Sequence, residues 1–199
     1  IDLFARALGV RNLKNKVPFY RVETDEKIWA SQVLKDRKCF GKTIVGFNPE
    51  SNDSKRSWSR QEVFRFIDLL SKQKNQTKVI LFDFANSYPE FSSLDFVINA
   101  RETTVRQMAA LIERCNIFVT PDTGPMHIAG ALGVPSVCLF GSIPPESRIN
   151  HYPTHVAVTS EGLDCLGCWY SPCQINTQCM KDIKAEKVHK LMLERMRFD

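Results

Sequence analysis

The stretch Thr120-Pro-Asp-Thr-Gly-Pro-Met-His-Ile-Ala-Gly-Ala-Leu-Gly-Val-Pro-Ser-Val-Cys-Leu-Phe-Gly141 decides the fold of this chain. The apolar run Asn116–Val119 before it predicts a buried parallel strand, and Ser136–Phe140 predicts the next one. A helix is expected between them, from Pro125 to Leu132, because proline suits a first helical position and a glycine follows the last one. The pattern is therefore strand, turn, helix, turn, strand.

The amino end of this helix predicts an anion site. Backbone N–H groups at Thr123, Gly124 and the first turn have no acceptor within the helix, and phosphate is their commonest ligand. Gly124 has no side chain to block its approach, and His127 can reach the same anion. Asp122 and Thr123 are also good helix-capping residues. The alternative interpretation is an ordinary strand–turn–helix connection with a well-chosen cap.

Length and composition are those of an ordinary globular protein. The 199 residues are 43% apolar and 25% charged, which fits one compact domain with or without appendages. The sequence has neither a secretory signal nor an apolar run of the ~18–20 residues that a bilayer span needs. We therefore expect a cytoplasmic protein, with peripheral contact to a membrane surface allowed. Because the chain begins with Ile1, we also expect a fragment, or a chain whose beginning is missing.

Strand and helix patterns alternate along the chain, which predicts an α/β fold with a doubly wound parallel sheet and a ligand at the carboxyl ends of its strands. Ser59 with Glu62, and Thr104 with Gln107, have the spacing of capping boxes. The other expected elements are strands at Thr43–Phe47, Lys78–Phe84, Asp95–Asn99 and His155–Val158, an extended Val17–Val22, and helices at Ile1–Gly9, Asp25–Lys38 and Lys184–Arg197. One helical face is predicted to be core: Val105, Met108, Leu111, Ile112 and Cys115.

The run Asp122–Pro135, closing with Leu139-Phe-Gly141, resembles the signature of glycosyltransferase family 9, the ADP-heptose:lipopolysaccharide heptosyltransferases. The resemblance implies the C-terminal, Rossmann-like half of a GT-B glycosyltransferase. Residues 1–40 would be an interdomain segment, and residues 41–160 the nucleotide-sugar-binding domain. Residues 161–199 would add a cysteine-rich loop and a closing helix to the same domain.

The resemblance also implies a set of donor-binding residues. The loop Asn48–Trp58 is similar to the family's glycine- or serine-rich turn, and Arg56 lies where the family places a basic residue against the donor phosphates. Lys55 is the alternative candidate for this phosphate contact. The alternative without any function is a basic loop that is simply exposed to solvent. The ribose carboxylate would be Asp83 or Glu90, and the loop Ser142–Arg148 resembles one near the donor sugar. The implied donor-binding set is Ser51, Lys55, Arg56, Thr103, Asp122, Thr123, Gly124, Pro125 and His127.

The seven cysteines form two groups. Three lie singly in apolar segments and are predicted to be core residues: Cys39, Cys115 and Cys138. The other four fall within 15 residues with the spacing C-x2-C-x4-C-x5-C: Cys165, Cys168, Cys173 and Cys179. Four close thiolates can hold one structural Zn or Fe ion. Disulfides formed on isolation and free thiols are the alternatives.

By resemblance, the whole protein would transfer heptose or a related sugar from an ADP-sugar to a lipopolysaccharide-core or other glycan acceptor, with inversion and without a cofactor. The family's general base belongs to the N-terminal domain, so this chain is expected to bind nucleotide without turnover. Asp122 would order the turn or a hydroxyl. A non-catalytic nucleotide-binding module and a GT-B transferase for another nucleotide sugar stay open. A nucleic-acid partner is not expected, because Asp164–Met180 contains no Lys or Arg beside the cysteines.

Overall fold

The computed structural model describes residues 6–9, 13, 15–169 and 172–196. Its described residues contain one sheet of six parallel strands in the order β3-β2-β1-β4-β5-β6. The strands are β1 (Thr43–Phe47), β2 (Thr77–Leu81), β3 (Val97–Asn99), β4 (Ile117–Pro121), β5 (Ser136–Phe140) and β6 (His155–Thr159). This order confirms the predicted doubly wound parallel sheet.

Helices cover both faces of the sheet. They are α1 (Thr24–Asp36), α2 (Arg60–Ser71), α3 (Val105–Ile112), α4 (Gly124–Ala131), α5 (Glu146–Ile149), α6 (Gln178–Lys181) and α7 (Ala185–Met196), with a 3-10 turn at Pro89–Ser93. Successive strand side chains point to opposite faces. Val45 accordingly joins a core cluster with Phe66 of α2 and Val188 of α7, whereas Ile44 joins a second cluster with Ala30 of α1.

The two predicted capping boxes have different outcomes. The Thr104 hydroxyl accepts from the N–H of Gln107 at 3.2 Å, and the Gln107 side-chain oxygen accepts from the N–H of Thr104 at 3.0 Å, as predicted. The Ser59 hydroxyl caps α2 by accepting from the N–H of Glu62 at 3.4 Å, but the Glu62 carboxylate does not return the bond. It is buried, and it accepts from the N–H of Ala185 at 2.9 Å. The Glu62 side chain therefore caps α7, because α7 packs against α2.

Several predicted boundaries shift by a few residues. The second strand ends at Leu81 rather than Phe84, and β3 begins at Val97 rather than Asp95. Of the predicted helix Ile1–Gly9, residues 1–5 lie outside the described part, as does Arg197 at the end of the last helix. No helix among the described residues is long and apolar enough to cross a bilayer. The division of the chain at residues 40 and 160 stays a prediction.

Candidate functional site

The site lies where the strand order of the sheet reverses. β1 pairs with β2 on one side and with β4 on the other, so the loops after β1 and β4 leave a crevice between them. Asn48 follows β1 directly, and its amide nitrogen donates to the hydroxyls of Thr120 at 3.2 Å and Thr123 at 3.1 Å. One amide thus fastens the two loops together at the base of the crevice.

A cleft of about 760 Å³ occupies this crevice. All of the predicted donor-binding residues except one line it: Ser51, Arg56, Thr103, Asp122, Thr123, Gly124, Pro125 and His127. The exception is Lys55, whose Nζ lies 3.4 Å from the carbonyl oxygen of Trp169. The structure therefore brings Arg56, and not Lys55, into the cleft.

The loop after β1 is fixed by its tryptophan. The Trp58 side chain is buried, and its indole N–H donates to the carbonyl of Ile183 at 2.8 Å. The Trp58 backbone N–H donates to the carbonyl of Pro49 at 3.1 Å, which closes the loop. Arg56 comes two residues before this anchor, so its guanidinium is directed toward the cleft from an ordered backbone.

A buried carboxylate organises one end of the cleft. The side chain of Asp122 is 5% exposed, and its Oδ2 lies 3.3 Å from Nη1 of Arg56 and 3.4 Å from Nε of Arg148. Nη1 of Arg56 also donates to the carbonyl of Asp122 at 3.1 Å. One carboxylate thus orients two guanidinium groups, and we name this end of the cleft the cationic end after these two arginines, although Nε of Arg56 also lies 3.7 Å from Oδ2 of Asp53. Arg148 was predicted only to lie in a loop near the donor sugar, because its ion pair with Asp122 joins two loops that are separate in sequence.

The amino end of α4 opens into the same cleft. Thr123 occupies the predicted N-cap position, but its hydroxyl makes no cap hydrogen bond. It contacts Asn48 and the Thr120 hydroxyl instead, the latter at 3.0 Å. A Cβ placed on Gly124 would meet no atom within 4 Å, so the space in front of this helix end is open. A helix amino end in such a position attracts an anion.

His127 borders the cationic end from the first turn of α4. Its Nδ1 lies 3.0 Å from the hydroxyl of Tyr152, and its Nε2 lies 4.0 Å from Oδ1 of Asp122. Burial lowers the pKa of His127, although the Asp122 carboxylate opposes this shift. Burial also lowers the pKa of His155, whose Nε2 donates to the carbonyl of Met126 at 3.0 Å. The two imidazoles are therefore neutral near neutral pH.

We expect these half-buried histidines to make the fold sensitive to mild acid. In the unfolded chain a histidine titrates near pH 6.5, about the value of a free side chain. Below that pH the unfolded state binds protons that folded His127 and His155 resist, so the free energy of unfolding decreases. Urea unfolding at pH 7.5, 6.5 and 5.5 should show a plateau above pH 6.5 and a decline below it. The variant His155→Gln should flatten this decline, and a constant free energy down to pH 5.5 would contradict the assignment.

The opposite end of the cleft is apolar. Phe84 follows β2 and is 46% exposed, and Val105 begins α3 and is 64% exposed. Val105 was predicted to be core, which is wrong, because the first turn of α3 overhangs the cleft instead of the sheet. Phe84 was not among the predicted site residues, although an aromatic residue at the carboxyl end of a buried strand was a usable signal. The cleft thus runs from an apolar end near β2 to a cationic end near β5.

Neither predicted ribose carboxylate faces the cleft. Asp83 is buried and accepts from the backbone N–H groups of Ser87 and Tyr88, both at 2.8 Å. It holds the turn after β2, while Glu90 pairs with Arg60 outside the cleft lining. Besides Asp122, the carboxylate of Glu50 lines the cleft, and it accepts from the Ser87 hydroxyl at 2.7 Å.

The predicted four-cysteine metal site is not formed. Cys165 is exposed, whereas α6 buries Cys179 against the main core. Cys173 accepts a hydrogen bond from the N–H of Thr177 at 3.0 Å, and such backbone contacts lower its pKa. Among the described residues no group of three or more His, Cys, Asp or Glu side chains is placed to hold a metal ion. The four cysteines are therefore not arranged as an assembled Zn or Fe site in the described residues, and all seven cysteines are free thiols.

The prediction that the three single cysteines are core residues is confirmed. Cys39, Cys115 and Cys138 are buried in the apolar clusters. Burial raises the pKa of the Cys115 and Cys138 thiols well above the ordinary range of a thiol. These groups are core side chains with no access to the cleft.

A parallel sheet of this order, with a cleft at its switch point, is that of a Rossmann-like nucleotide-binding domain. The model of glycosyltransferase family 9 (heptosyltransferase) matches residues 1–177. The chain belongs to glycosyltransferase family 9, and its fold is the Rossmann-like half of a GT-B enzyme, as the resemblance implied.

Known proteins agree with this assignment. Lipooligosaccharide heptosyltransferase 2 of Campylobacter jejuni subsp. jejuni serotype O:6 is 26% identical over 160 residues, which are 74% of this chain and 50% of that protein. The crystal structure of a family 9 glycosyl transferase from Veillonella parvula superposes with a TM-score of 0.80 at 18% identity, over 100% of this chain and 60% of that one. The structure of Escherichia coli heptosyltransferase WaaC with ADP-2-deoxy-2-fluoro heptose superposes with a TM-score of 0.64 at 16% identity, over 97% of this chain and 53% of that one. The chain spans about half the length of the curated relative.

Proposed function

We propose that this chain is the donor-binding half of an inverting glycosyltransferase that moves heptose, or a related sugar, from an ADP-sugar to a lipopolysaccharide-core acceptor. The observation that carries the proposal is the division of the cleft. Two guanidinium groups and a helix amino end lie at one end, and an exposed phenylalanine lies at the other. This is the chemical division of a nucleoside diphosphate, which has an anionic tail and a flat apolar base.

The proposed ligand spans the carboxyl ends of the strands. The diphosphate binds the backbone N–H of Gly124 and the guanidinium groups of Arg56 and Arg148. The adenine lies against Phe84 and Val105, near the backbone of Thr103. We assign Glu50 to the ribose hydroxyls, because it is the lining carboxylate that is not paired with the two cleft arginines.

The same groups account for the chemistry of the leaving group. Negative charge builds on the departing diphosphate as the glycosidic bond of the donor breaks, and fixed N–H and guanidinium donors stabilise that charge. Asp122 is already paired with two arginines, so we assign it a positioning role and not that of a base. The general base is then expected from the other half of the protein, as the family resemblance implies. We propose that this chain alone binds donor nucleotide without turnover and that the reaction uses no cofactor.

The relatives support the substrate class and the place of action. The curated relative is named for heptose transfer to lipooligosaccharide, and WaaC has been crystallised with an ADP-heptose analogue. A lipopolysaccharide-core acceptor is anchored in a membrane, so we propose that the whole protein works at the cytoplasmic face of the inner membrane. Nucleic acid has no part in this proposal.

Two variants at opposite ends of the cleft test the proposed ligand. A charge-assisted contact is worth about 1.5–3 kcal/mol. Arg56→Ala should therefore lower the affinity for ADP about tenfold or more and leave the affinity for adenosine unchanged. Stacking of a base on an aromatic ring is worth about 1–3 kcal/mol, so Phe84→Ala should weaken ADP and adenosine alike by about tenfold. Isothermal titration calorimetry of both ligands measures these affinities.

Arg60→Ala is the matched control for Arg56→Ala, because Arg60 pairs with Glu90 outside the cleft lining. It should leave both affinities at the parent values. Equal losses of ADP and adenosine affinity in Arg56→Ala would mean that this arginine supports the fold or the base, and would remove the proposed diphosphate contact.

A further inference from the structure

The segment Leu163–Trp169, here called the cysteine segment, is attached to the loop after β5. The N–H of Gly167 donates to the carbonyl of Gly141 at 3.0 Å, and the N–H of Trp169 donates to the carbonyl of Ser142 at 2.7 Å. A Cβ on Gly167 would lie 3.0 Å from Cγ of Pro144, so the two backbones pass close together. The cysteine segment therefore borders the loop Ser142–Arg148, which carries Arg148 to the cationic end of the cleft.

The backbone of Trp169 is held in an unusual conformation. Its φ of 49° lies in the left-handed region, which a bulky residue adopts only when its surroundings enforce it. The bond to Ser142 fixes its N–H, and Nζ of Lys55 lies 3.4 Å from its carbonyl oxygen. These contacts constrain the direction of the indole. A strained aromatic residue beside a binding cleft suggests a functional reason for the strain.

The indole of Trp169 packs against one of the two cleft arginines. The guanidinium carbon of Arg148 lies 4.8 Å from the centroid of the ring, within the range of a cation–π interaction. Nε of the same guanidinium lies 3.4 Å from Oδ2 of Asp122. Arg148 is thus held between a carboxylate and an aromatic face. Arg56 shares the contact with Asp122, but it is Arg148 that packs against the indole ring of Trp169.

We propose that Trp169 is a positioning residue for Arg148, through which the cysteine segment sets the affinity of the cleft for a diphosphate. This rests on the proposed donor site. Without the indole face, the flexible arginine side chain loses one of its two supports and must be ordered by the ligand, which weakens binding. The base end of the cleft is unaffected, because Trp169 and Arg148 lie on the β5 side and Phe84 lies on the β2 side.

The test is a double-mutant cycle between Trp169→Leu and Arg148→Ala, with ADP and adenosine as the calorimetric ligands. From the size of cation–π interactions, Trp169→Leu should weaken ADP by about threefold to tenfold. Adenosine affinity should not change. In the Arg148→Ala background Trp169→Leu should cause no further loss, because the indole acts through that side chain. Trp169→Phe, which keeps an aromatic face, should restore most of the ADP affinity.

Thermal unfolding of each variant checks the fold. If Trp169→Leu does not fold, Trp169→Met in the parent and in the Arg148→Ala background gives the same answer, because methionine fills the space of the indole without an aromatic face. That variant should lose ADP affinity and not adenosine affinity. An unchanged ADP affinity in a folded variant, or an equal loss in both backgrounds, would overturn the positioning role and leave the donor site intact. A parent chain that binds no ADP would overturn both proposals together.

Discussion

Replacing Gly124 by valine should abolish most ADP binding while the domain stays folded. The affinity is expected to fall about 100-fold or more, because the branched side chain fills the space where the diphosphate meets the helix N–H groups and prevents at least two charge-assisted bonds. The fold should tolerate the change, since a Cβ at this position meets no atom within 4 Å. Calorimetry with ADP on the folded variant and the parent measures the effect.

Gly124→Ala is the graded control. A single methyl group leaves part of the space free, so its loss of ADP affinity should lie between those of the parent and the valine variant. Thermal unfolding should give all three proteins similar midpoints. Equal ADP affinities of the parent and the valine variant would remove the helix end from the proposed site.

Gly130→Ala should destabilise the domain, although it lies in the same helix as Gly124. A Cβ on Gly130 would lie 2.4 Å from Cδ1 of the Tyr152 ring, a contact that a real Cβ does not make. Either α4 or Tyr152 must move, and overpacking of this kind costs about 1–3 kcal/mol. The ring that moves carries the hydroxyl 3.0 Å from Nδ1 of His127, so the support of this imidazole is lost as well.

Urea unfolding of the parent, Gly130→Ala and Gly124→Ala separates the two glycines. The same substitution in one helix should lower the free energy of unfolding at Gly130 and leave it nearly unchanged at Gly124. A Gly130→Ala variant as stable as the parent would mean that α4 does not pack against Tyr152 as described. In that case the position of His127 at the cleft would also need revision.

The framework of the fold could be predicted because it depends on local patterns. Buried parallel strands are short apolar runs, and the strand–turn–helix signature carries both its helix start and its glycine stop within one stretch. The first strand and Ser136–Phe140 begin and end where they were expected. Each of these signals lies within a few residues of the element that it predicts.

The missed features depend on contacts between distant parts of the chain. Glu62 was predicted to cap its own helix, yet its carboxylate serves α7, which lies 123 residues further along. Arg148 joins the site only through Asp122, on another loop. Asp83 had the expected residue type for a ribose contact, but the turn after β2 uses both of its oxygens. Spacing in the sequence cannot predict such choices, because they depend on which loops the sheet brings together.

The spacing of the four clustered cysteines in the sequence also did not predict their arrangement in the structure. The spacing in sequence is compatible with one tetrahedral ion, but the short helix α6 places Cys179 in the core while Cys165 faces solvent. Burial, and after it the neighbouring thiols of Cys165, Cys168 and Cys173, raise the pKa of Cys179, but the described residues contain no group of three or more ligands placed to hold a metal ion. The structure assigns the segment a contact with Arg148 instead, through a tryptophan that the metal hypothesis did not use.

The most direct test of the donor site is a crystal structure of this chain with ADP. The proposed donor site predicts that the β-phosphate lies within hydrogen-bonding distance of the Gly124 N–H and of the Arg56 guanidinium, and that the adenine lies against Phe84. It also predicts that the Arg148 guanidinium stays between Asp122 and Trp169. ADP bound elsewhere, or bound in this cleft with its phosphates toward Phe84, would contradict the account.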